Sequence, residues 1–230
     1  MAFLIKKLGS FVATASALTV LPMVLAKPAA AKPVPVTDIV TNGSFENPQL
    51  GYGSWGTFNS IEGWNLLSGS DNHGIEVQNH AAGNPFDGSN LVELDSYGNT
   101  GIFQDLATKA GKKYKLEFAF SPRAGVSENL LNIKWGDKLV DTLSANGAGL
   151  SDTLWKTFSY NLVATSNLTR LSFDNFGSKS DSFGTYIDKV SVTSVTAVPE
   201  PASIMGLLAF GAFGATSVCK RKQQKATVQA

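Results

Sequence analysis

Hydrophobic and polar positions divide the chain into three regimes. Leu8 to Leu25 is apolar and broken only by small or hydroxyl residues and one proline, and Ala202 to Cys219 is apolar again. Between them, short runs alternate apolar and polar residues and are set off by Gly, Asn, Asp and Ser clusters, the pattern of a β-sandwich or barrel. Lys113-Tyr114-Lys115-Leu116-Glu117-Phe118-Ala119-Phe120 is the clearest run. A period of two predicts Tyr114, Leu116, Phe118 and Phe120 on the core face. Further strands are predicted at Gly74–Gln78, Asn90–Asp95, Gly101–Leu106, Leu130–Trp135, Lys156–Leu162, Leu168–Asp174 and Gly184–Val192. No window of this middle region carries a convincing helical period. The expected fold is all-β, with nine or ten strands in two antiparallel sheets packed as a jelly roll.

The flanking runs predict export. Lys6 and Lys7 precede the first, and the small-residue sites Val24-Leu25-Ala26 and Ala29-Ala30-Ala31 follow it, as in a secretory signal peptide. Pro22 argues against a retained helix. The second run has about 18 residues without a charge, near the lower limit for crossing a bilayer. Lys220, Arg221 and Lys222 follow directly and are expected to stay cytoplasmic. The predicted organisation is a signal peptide over 1–31, a linker over 32–37 and a sandwich over 38–195. A second linker over 196–201, a transmembrane sorting helix over 202–219 and a basic tail over 220–230 complete it. Gly206, Gly211 and Gly214 make the second span a marginal permanent anchor, which suits a segment that is later removed.

Charge sharpens the picture. The whole chain has a formal charge of +1, but residues 38–195 hold 17 Asp and Glu against 11 Lys and Arg. An acidic exported domain is a poor ligand for nucleic acid or anionic lipid, which need basic patches. It suits cations and neutral or cation-bridged glycans better. The one cysteine, Cys219, falls in the second apolar run, so the sandwich has neither disulfide nor thiol chemistry.

The sequence then resembles two known families. Val198-Pro199-Glu200-Pro201, the apolar span and the basic Lys220-Arg221-Lys222 come in the order of the PEP-CTERM sorting signal. This tail is also catalogued as an ice-binding protein C-terminal domain, a label that describes the tail and not an activity. The resemblance implies processing by an exosortase-type enzyme, with transient anchoring in the inner membrane and delivery to the cell surface, outer envelope or exopolysaccharide matrix. Val40-Thr41-Asn42-Gly43-Ser44-Phe45-Glu46 followed by Gly63-Trp64 resembles the opening of galactose-binding-like jelly rolls, which include several carbohydrate-binding modules. Tyr186-Ile187-Asp188-Lys189-Val190-Ser191-Val192 resembles their closing strand. In those modules the first and last strands share a structural Ca²⁺. The resemblance implies Glu46 and Asp188 as its ligands, with carbonyls near Asn42 and Ser44 completing the six to eight oxygens that calcium takes. Lys189 departs from the family, where a second acid or Asn is usual. Period two also places Asp188 with Tyr186, Val190 and Val192, so it is expected to point inward, where a carboxylate needs a cation or several donors.

Other chemistry is weaker. Glu93 and Asp95 share a strand face beside Glu76, and paired carboxylates serve glycoside hydrolysis, but acids on a strand rim more often hydrogen-bond loops. Arg123 is expected to pair with Glu93 or Asp95. His73 and His80 match no metal spacing, and Ser68-Gly69-Ser70-Asp71 is not a nucleophile elbow. Trp64 and Trp135 read as core. Tyr52, Trp55, Phe86 and Tyr97 lie in loops or turns and are the candidates for stacking on a pyranose. The expected function is a non-catalytic, carbohydrate-binding-like module of the envelope or matrix. A structural or adhesive matrix protein without a small ligand is the alternative, and a glycoside hydrolase is the third reading.

Overall fold

The computed structural model of the protein describes residues 36–70, 74–179 and 181–195. The expected signal peptide, sorting motif, sorting helix and basic tail lie outside the described residues, as do Asp71 and His73. Among the described residues no helix is long and apolar enough to cross a membrane.

Twelve strands are described. They are β1 (Ser54–Phe58), β2 (Ser60–Ile61), β3 (Trp64–Leu66), β4 (Ile75–Asn79), β5 (Leu91–Glu93), β6 (Gly101–Ala107), β7 (Lys113–Ser121), β8 (Asn129–Trp135), β9 (Lys138–Ala145), β10 (Lys156–Val163), β11 (Leu168–Asp174) and β12 (Tyr186–Ser194). A front sheet runs β1-β4-β5-β12-β7-β10 and a back sheet β2-β3-β6-β11-β8-β9. Their strand pairs are antiparallel. Most connections from β3 onward carry the chain from one sheet to the other, so the architecture is the expected jelly roll.

The inner faces interdigitate as the alternation predicts. Tyr114, Leu116, Phe118 and Phe120 are buried, and Phe118 meets Phe173 of the back sheet edge-on at 4.9 Å. Trp64 lies against Phe45 at 5.4 Å, and its Nε1 donates to the Asn42 carbonyl at 3.1 Å. Trp135 is also buried, with Nε1 donating to the Val163 carbonyl at 3.1 Å. Both indoles thus bury their apolar body while satisfying their one donor. Truncating Phe118 to Ala would cost about 3–5 kcal/mol by this packing alone.

Eight strands fall where the pattern puts them, and β1, β2, β3 and β9 were not anticipated. β1 holds Gly56 and is only partly buried, β2 and β3 are very short, and β9 shows no regular alternation of burial. Trp55, expected in a Gly-rich loop, is therefore a strand residue at the free edge of the front sheet.

One orientation is corrected. Asp188 is fully buried, but it does not share a face with Val190 and Val192. The pairing of β12 with β7 shifts between Asp188 and Ser191, and Lys189 takes a left-handed φ of 51°. This is a β-bulge, which inserts one residue and inverts the parity of everything beyond it. Ile187, Val190 and Val192 consequently join the core, while Tyr186 and Asp188 point to the outer side of the sheet.

Candidate functional site

The outer side of the front sheet is polar and buried at once. Glu76 on β4 lies opposite Glu93 on β5, Glu93 opposite Tyr186 on β12, and Tyr186 opposite Ser121 on β7. Gln78 and Leu91 share this side by period two. Antiparallel sheets commonly leave one face to water, yet all six of these residues are buried. The loops between strands are tied down over them. Ala82 N donates to Gln78 Oε1 at 3.1 Å, Tyr186 OH to the Ala82 carbonyl at 3.2 Å, and Leu154 N to Ser121 Oγ at 2.8 Å. Gly184 N donates to Glu93 Oε1 at 2.7 Å.

At the centre, two carboxylates meet one guanidinium. Arg123 donates to both oxygens of Glu93 and, at 3.3 Å, to the Ser182 carbonyl. Gln78 Nε2 donates to Glu76 Oε1 at 2.8 Å and also to Glu93 Oε2. Gln78 thus bridges two acids that lie opposite one another across the β4–β5 pair. Burial pushes Glu93 up to about 8, against the opposing pull of Arg123, and burial raises Glu76 as well. Arg123 loses basicity to its own desolvation but regains more from Glu93, Tyr186 and Glu76 together, so it stays charged. Arg123 thus takes Glu93 of its two expected partners. Asp95 is buried nearby, where Asp181 N approaches its Oδ2 at 3.4 Å. A carboxyl with a raised pKa has the protonation state of a general acid. The oxygens of Glu93, however, are engaged by Arg123, Gln78 and Gly184 beneath the loops, which makes the cluster an internal tie.

The four residues that the resemblance implies for calcium surround one loop, 84–90. Asp188 Oδ2 accepts from Phe86 N at 2.8 Å and Asp87 N at 2.9 Å, and its Oδ1 accepts from Lys189 N at 2.6 Å. Glu46 Oε1 accepts from Ser89 N at 2.7 Å and Asn90 N at 2.8 Å. Ser44 Oγ donates to Asp87 Oδ2 at 2.7 Å. The Asn42 carbonyl accepts from Phe45 N at 3.2 Å as well as from Trp64. Gly88, at φ +67°, lets the loop backbone come down on the Glu46 carboxylate where a Cβ would collide. Gly43 allows an equally close approach to Val190, whose N–H donates to the Gly43 carbonyl at 2.8 Å.

Calcium needs six to eight oxygen lone pairs aimed at one point. Here amide hydrogens point at the carboxylates instead, and among the described residues no group of three or more Asp, Glu, His or Cys is placed to hold a metal. As placed, these residues clasp the loop. Burial pushes Asp188 up to about 7 even though the amides of Asp87, Lys189 and Phe86 pull it down. The Lys189 amine stands off on the surface, 3.7 Å from Asp87.

The four candidate aromatics are exposed as expected, but they fall in separate places. Tyr52 is 84% exposed and stacks on His80 at 4.9 Å, while Trp55 is 52% exposed and lies opposite Gln78. Both therefore flank the end of β4. Phe86 belongs to the clasped loop, where it meets Trp155 edge-on at 6.0 Å, and Tyr97 stands in the β5–β6 connection. Trp155 escaped the sequence reading. Its Nε1 donates to the Asn84 carbonyl at 2.8 Å, and only its place one residue before β10 could have flagged it. Phe183 was missed too. Its ring lies 4.5 Å from the Arg123 guanidinium and borders a cleft of about 530 Å³ with Glu128, Asn175, Ser178 and Lys179.

Comparison with known proteins adds a family. The family described as protein of unknown function (DUF642) matches residues 38–193. The chain belongs to the DUF642 family. The PEP-CTERM protein-sorting motif matches residues 197–222, as the tail's resemblance implied, and marks an exported protein. The DUF642 region is 30% identical over 163 residues to the multifunctional-autoprocessing repeats-in-toxin of Vibrio cholerae serotype O1. That alignment covers 70% of this chain and 3% of the toxin. The toxin of the same name from Vibrio vulnificus is 28% identical over 160 residues, again 3% of its length. Among solved structures, a Stig cyclase from Fischerella sp. TAU superposes with a TM-score of 0.49 at 18% identity, over 71% of this chain and 100% of that one. The module TmCBM61, solved with β-1,4-galactotriose, gives 0.46 at 14% identity, over 69% and 99%.

Proposed function

We propose that this DUF642 protein is an exported, non-catalytic glycan-binding module, released by an exosortase-type enzyme to the cell surface or an extracellular polysaccharide matrix. The observation that carries the glycan reading is the pair of exposed rings at the β1–β4 edge, Tyr52 and Trp55. Two exposed rings at one sheet edge offer a stacking surface, and the face of a pyranose supplies the apolar C–H surface such rings cover. Tyr52 is already braced from behind by His80, so its orientation is held before any sugar arrives. The acidic balance of the sandwich favours neutral over polyanionic glycans. Retardation in native gels cast with soluble polysaccharides tests this. Tyr52→Ala with Trp55→Ala is expected to abolish retardation while the melting temperature holds. A folded double variant that is retarded as before overturns the platform.

One observation favours the second reading, a structural or adhesive matrix protein without a small ligand. The broad polar side of the front sheet, which would make the deepest cleft, is roofed by its own loops. Failure of all tested polysaccharides to retard the unaltered chain selects that reading.

A further inference from the structure

One end of the sandwich is chemically unlike the rest. The described chain enters there at Val36 and leaves at Val195, whose N–H donates to the Lys113 carbonyl at 2.9 Å. The β6–β7 and β10–β11 turns join the two termini. Gly111 N donates to the Ala164 carbonyl at 2.8 Å, Ala164 N to the Lys112 carbonyl at 3.0 Å, and Thr108 N to the Asn167 carbonyl at 3.1 Å. Exposed on this end are Val36, Val163, Leu168 and Val195. Exposed among them are Lys109, Lys112 and Lys113, which line an open groove of about 590 Å³ with Ile39, Tyr114 and Val195. The ion pairs among the described residues engage Lys115, Arg123, Arg170 and Lys189, and none of these three lysines.

The neighbouring acids are mostly spent. Asp105 is held by two hydrogen bonds from Arg170, each 2.8 Å, and Asp38 Oδ1 accepts from Val40 N at 3.0 Å and Val192 N at 2.9 Å. Asp137 is the exposed acid of the β8–β9 turn. The sandwich as a whole is acidic, with 17 Asp and Glu against 11 Lys and Arg, so this lysine group opposes the prevailing sign. Isolated valines and leucines on a surface need no explanation, but four of them ringing three unpaired lysines are the composition of an interfacial membrane contact.

The position along the chain names the occupant. Six residues, 196–201, separate Val195 from the apolar stretch that begins at Ala202, a tether of at most about 25 Å when fully extended. We propose that Lys109, Lys112 and Lys113, with Val36, Val163, Leu168 and Val195 around them, dock on the anionic phospholipid headgroups of the membrane that holds residues 202–219. The inference rests on reading that stretch as a membrane span. The lysines are drawn to the negative surface, the apolar side chains enter the headgroup boundary, and the acidic remainder of the sandwich is repelled from it, which fixes one orientation.

The test uses the full chain reconstituted into vesicles of phosphatidylcholine alone, or of equal parts phosphatidylcholine and phosphatidylglycerol. Lysines are acylated with a water-soluble reagent and read by mass spectrometry. In the anionic vesicles, labelling of Lys109, Lys112 and Lys113 is expected to fall about fivefold relative to neutral ones, with Lys156 and Lys179 unchanged. The protection disappears at about 1 M salt, where screening shortens to roughly 3 Å. Equal labelling in the two vesicle types overturns the proposal. So does protection that appears with a soluble polyuronate in neutral vesicles but not with phosphatidylglycerol, since the face would then read an acidic glycan. Flotation with neutral vesicles reports separately on the span. A chain that does not float with them refutes the anchor, while lysine protection on anionic vesicles still decides the face.

Discussion

The two sheets carry the same kind of ion pair in opposite surroundings. On the outer side of the back sheet, Arg170 grips Asp105 with Nε and Nη2, each at 2.8 Å, in open solvent, its guanidinium 3.7 Å above the Phe103 ring. On the outer side of the front sheet, Arg123 grips Glu93 beneath the loops, with the Glu93 side chain wholly out of water. An exposed pair gains little, because water and salt screen it and two long side chains must be held still. A buried pair is worth little against an apolar replacement, yet breaking it strands a charge. The outer strand faces are thus not equivalent: one displays its charges and the other depends on them.

The sharpest way to break this comparison is to remove each guanidinium in turn. Arg123→Ala is expected to cost about 3–5 kcal/mol in denaturant unfolding, because Glu93 and Glu76 are left buried with no cation. Arg170→Ala is expected to cost at most about 1 kcal/mol, since Asp105 is open to water. Equal losses would mean that the roof over the front sheet does not exclude solvent.

The clasp on loop 84–90 comes next in size. Asp188→Ala leaves the amides of Phe86, Asp87 and Lys189 without their acceptor in a buried setting, at roughly 1–3 kcal/mol. Amide hydrogen exchange is expected to quicken at Phe86 and Asp87 while β8 and β11 keep their protection. Uniform acceleration across the sandwich would show instead that the carboxylate supports the whole fold.

These buried polar residues explain what was legible in the sequence. Strands whose outer side meets water, such as β8 and β10, show the alternation plainly, and their boundaries were read to within a residue. In β4, Ile-Glu-Val-Gln-Asn alternates just as cleanly, yet all five residues are buried. Alternation reports polarity, and polarity predicts exposure only where no loop crosses the face. The same limit applied to Asp188. Its burial followed from its neighbours, but the bulge at Lys189 exchanges two faces with no mark in the sequence beyond a residue that tolerates the left-handed region poorly. The loop that meets the implied calcium residues was hidden for a related reason. Glu46 and Asp188 both accept from one loop, and the amides that occupy them come from residues 86–90, too far along the chain for spacing to connect.

Acidity separates the two faces on a smaller scale. Glu93 is raised from its usual 4.5 to about 8 and Asp188 from 3.8 to about 7, both by burial. Between the ordinary and raised values the folded chain holds protons that the unfolded chain has released. Stability from these groups is therefore full below about pH 4, falls as pH rises and levels off near pH 8. Asp105, lowered by its hydrogen bonds from Arg170, has the opposite sign, and its contribution is lost as pH falls below its ordinary range. Glu76→Gln, which supplies a permanent neutral partner to Glu93, is expected to flatten the decline between pH 5 and 8 in urea midpoints. An undiminished decline would place the proton elsewhere.

The smallest expected effect is none at all, and it bears on how the front face is held. A structural calcium ion would stabilise the folded chain in proportion to the logarithm of its concentration over its dissociation constant. Loop 84–90 is instead fixed by four amide hydrogen bonds, from Phe86, Asp87, Ser89 and Asn90, to Asp188 and Glu46, which need no ion. Chelation in metal-free buffer is therefore expected to leave the melting temperature unchanged. A fall of about 4 °C or more, the size of a 1 kcal/mol loss in a domain of this length, would mean that these carboxylates turn from the amides toward a cation. Repeating the measurement on Asp188→Asn locates the effect. Asparagine keeps one acceptor and loses the charge a cation requires, so calcium dependence that survives this substitution arises somewhere other than the clasp.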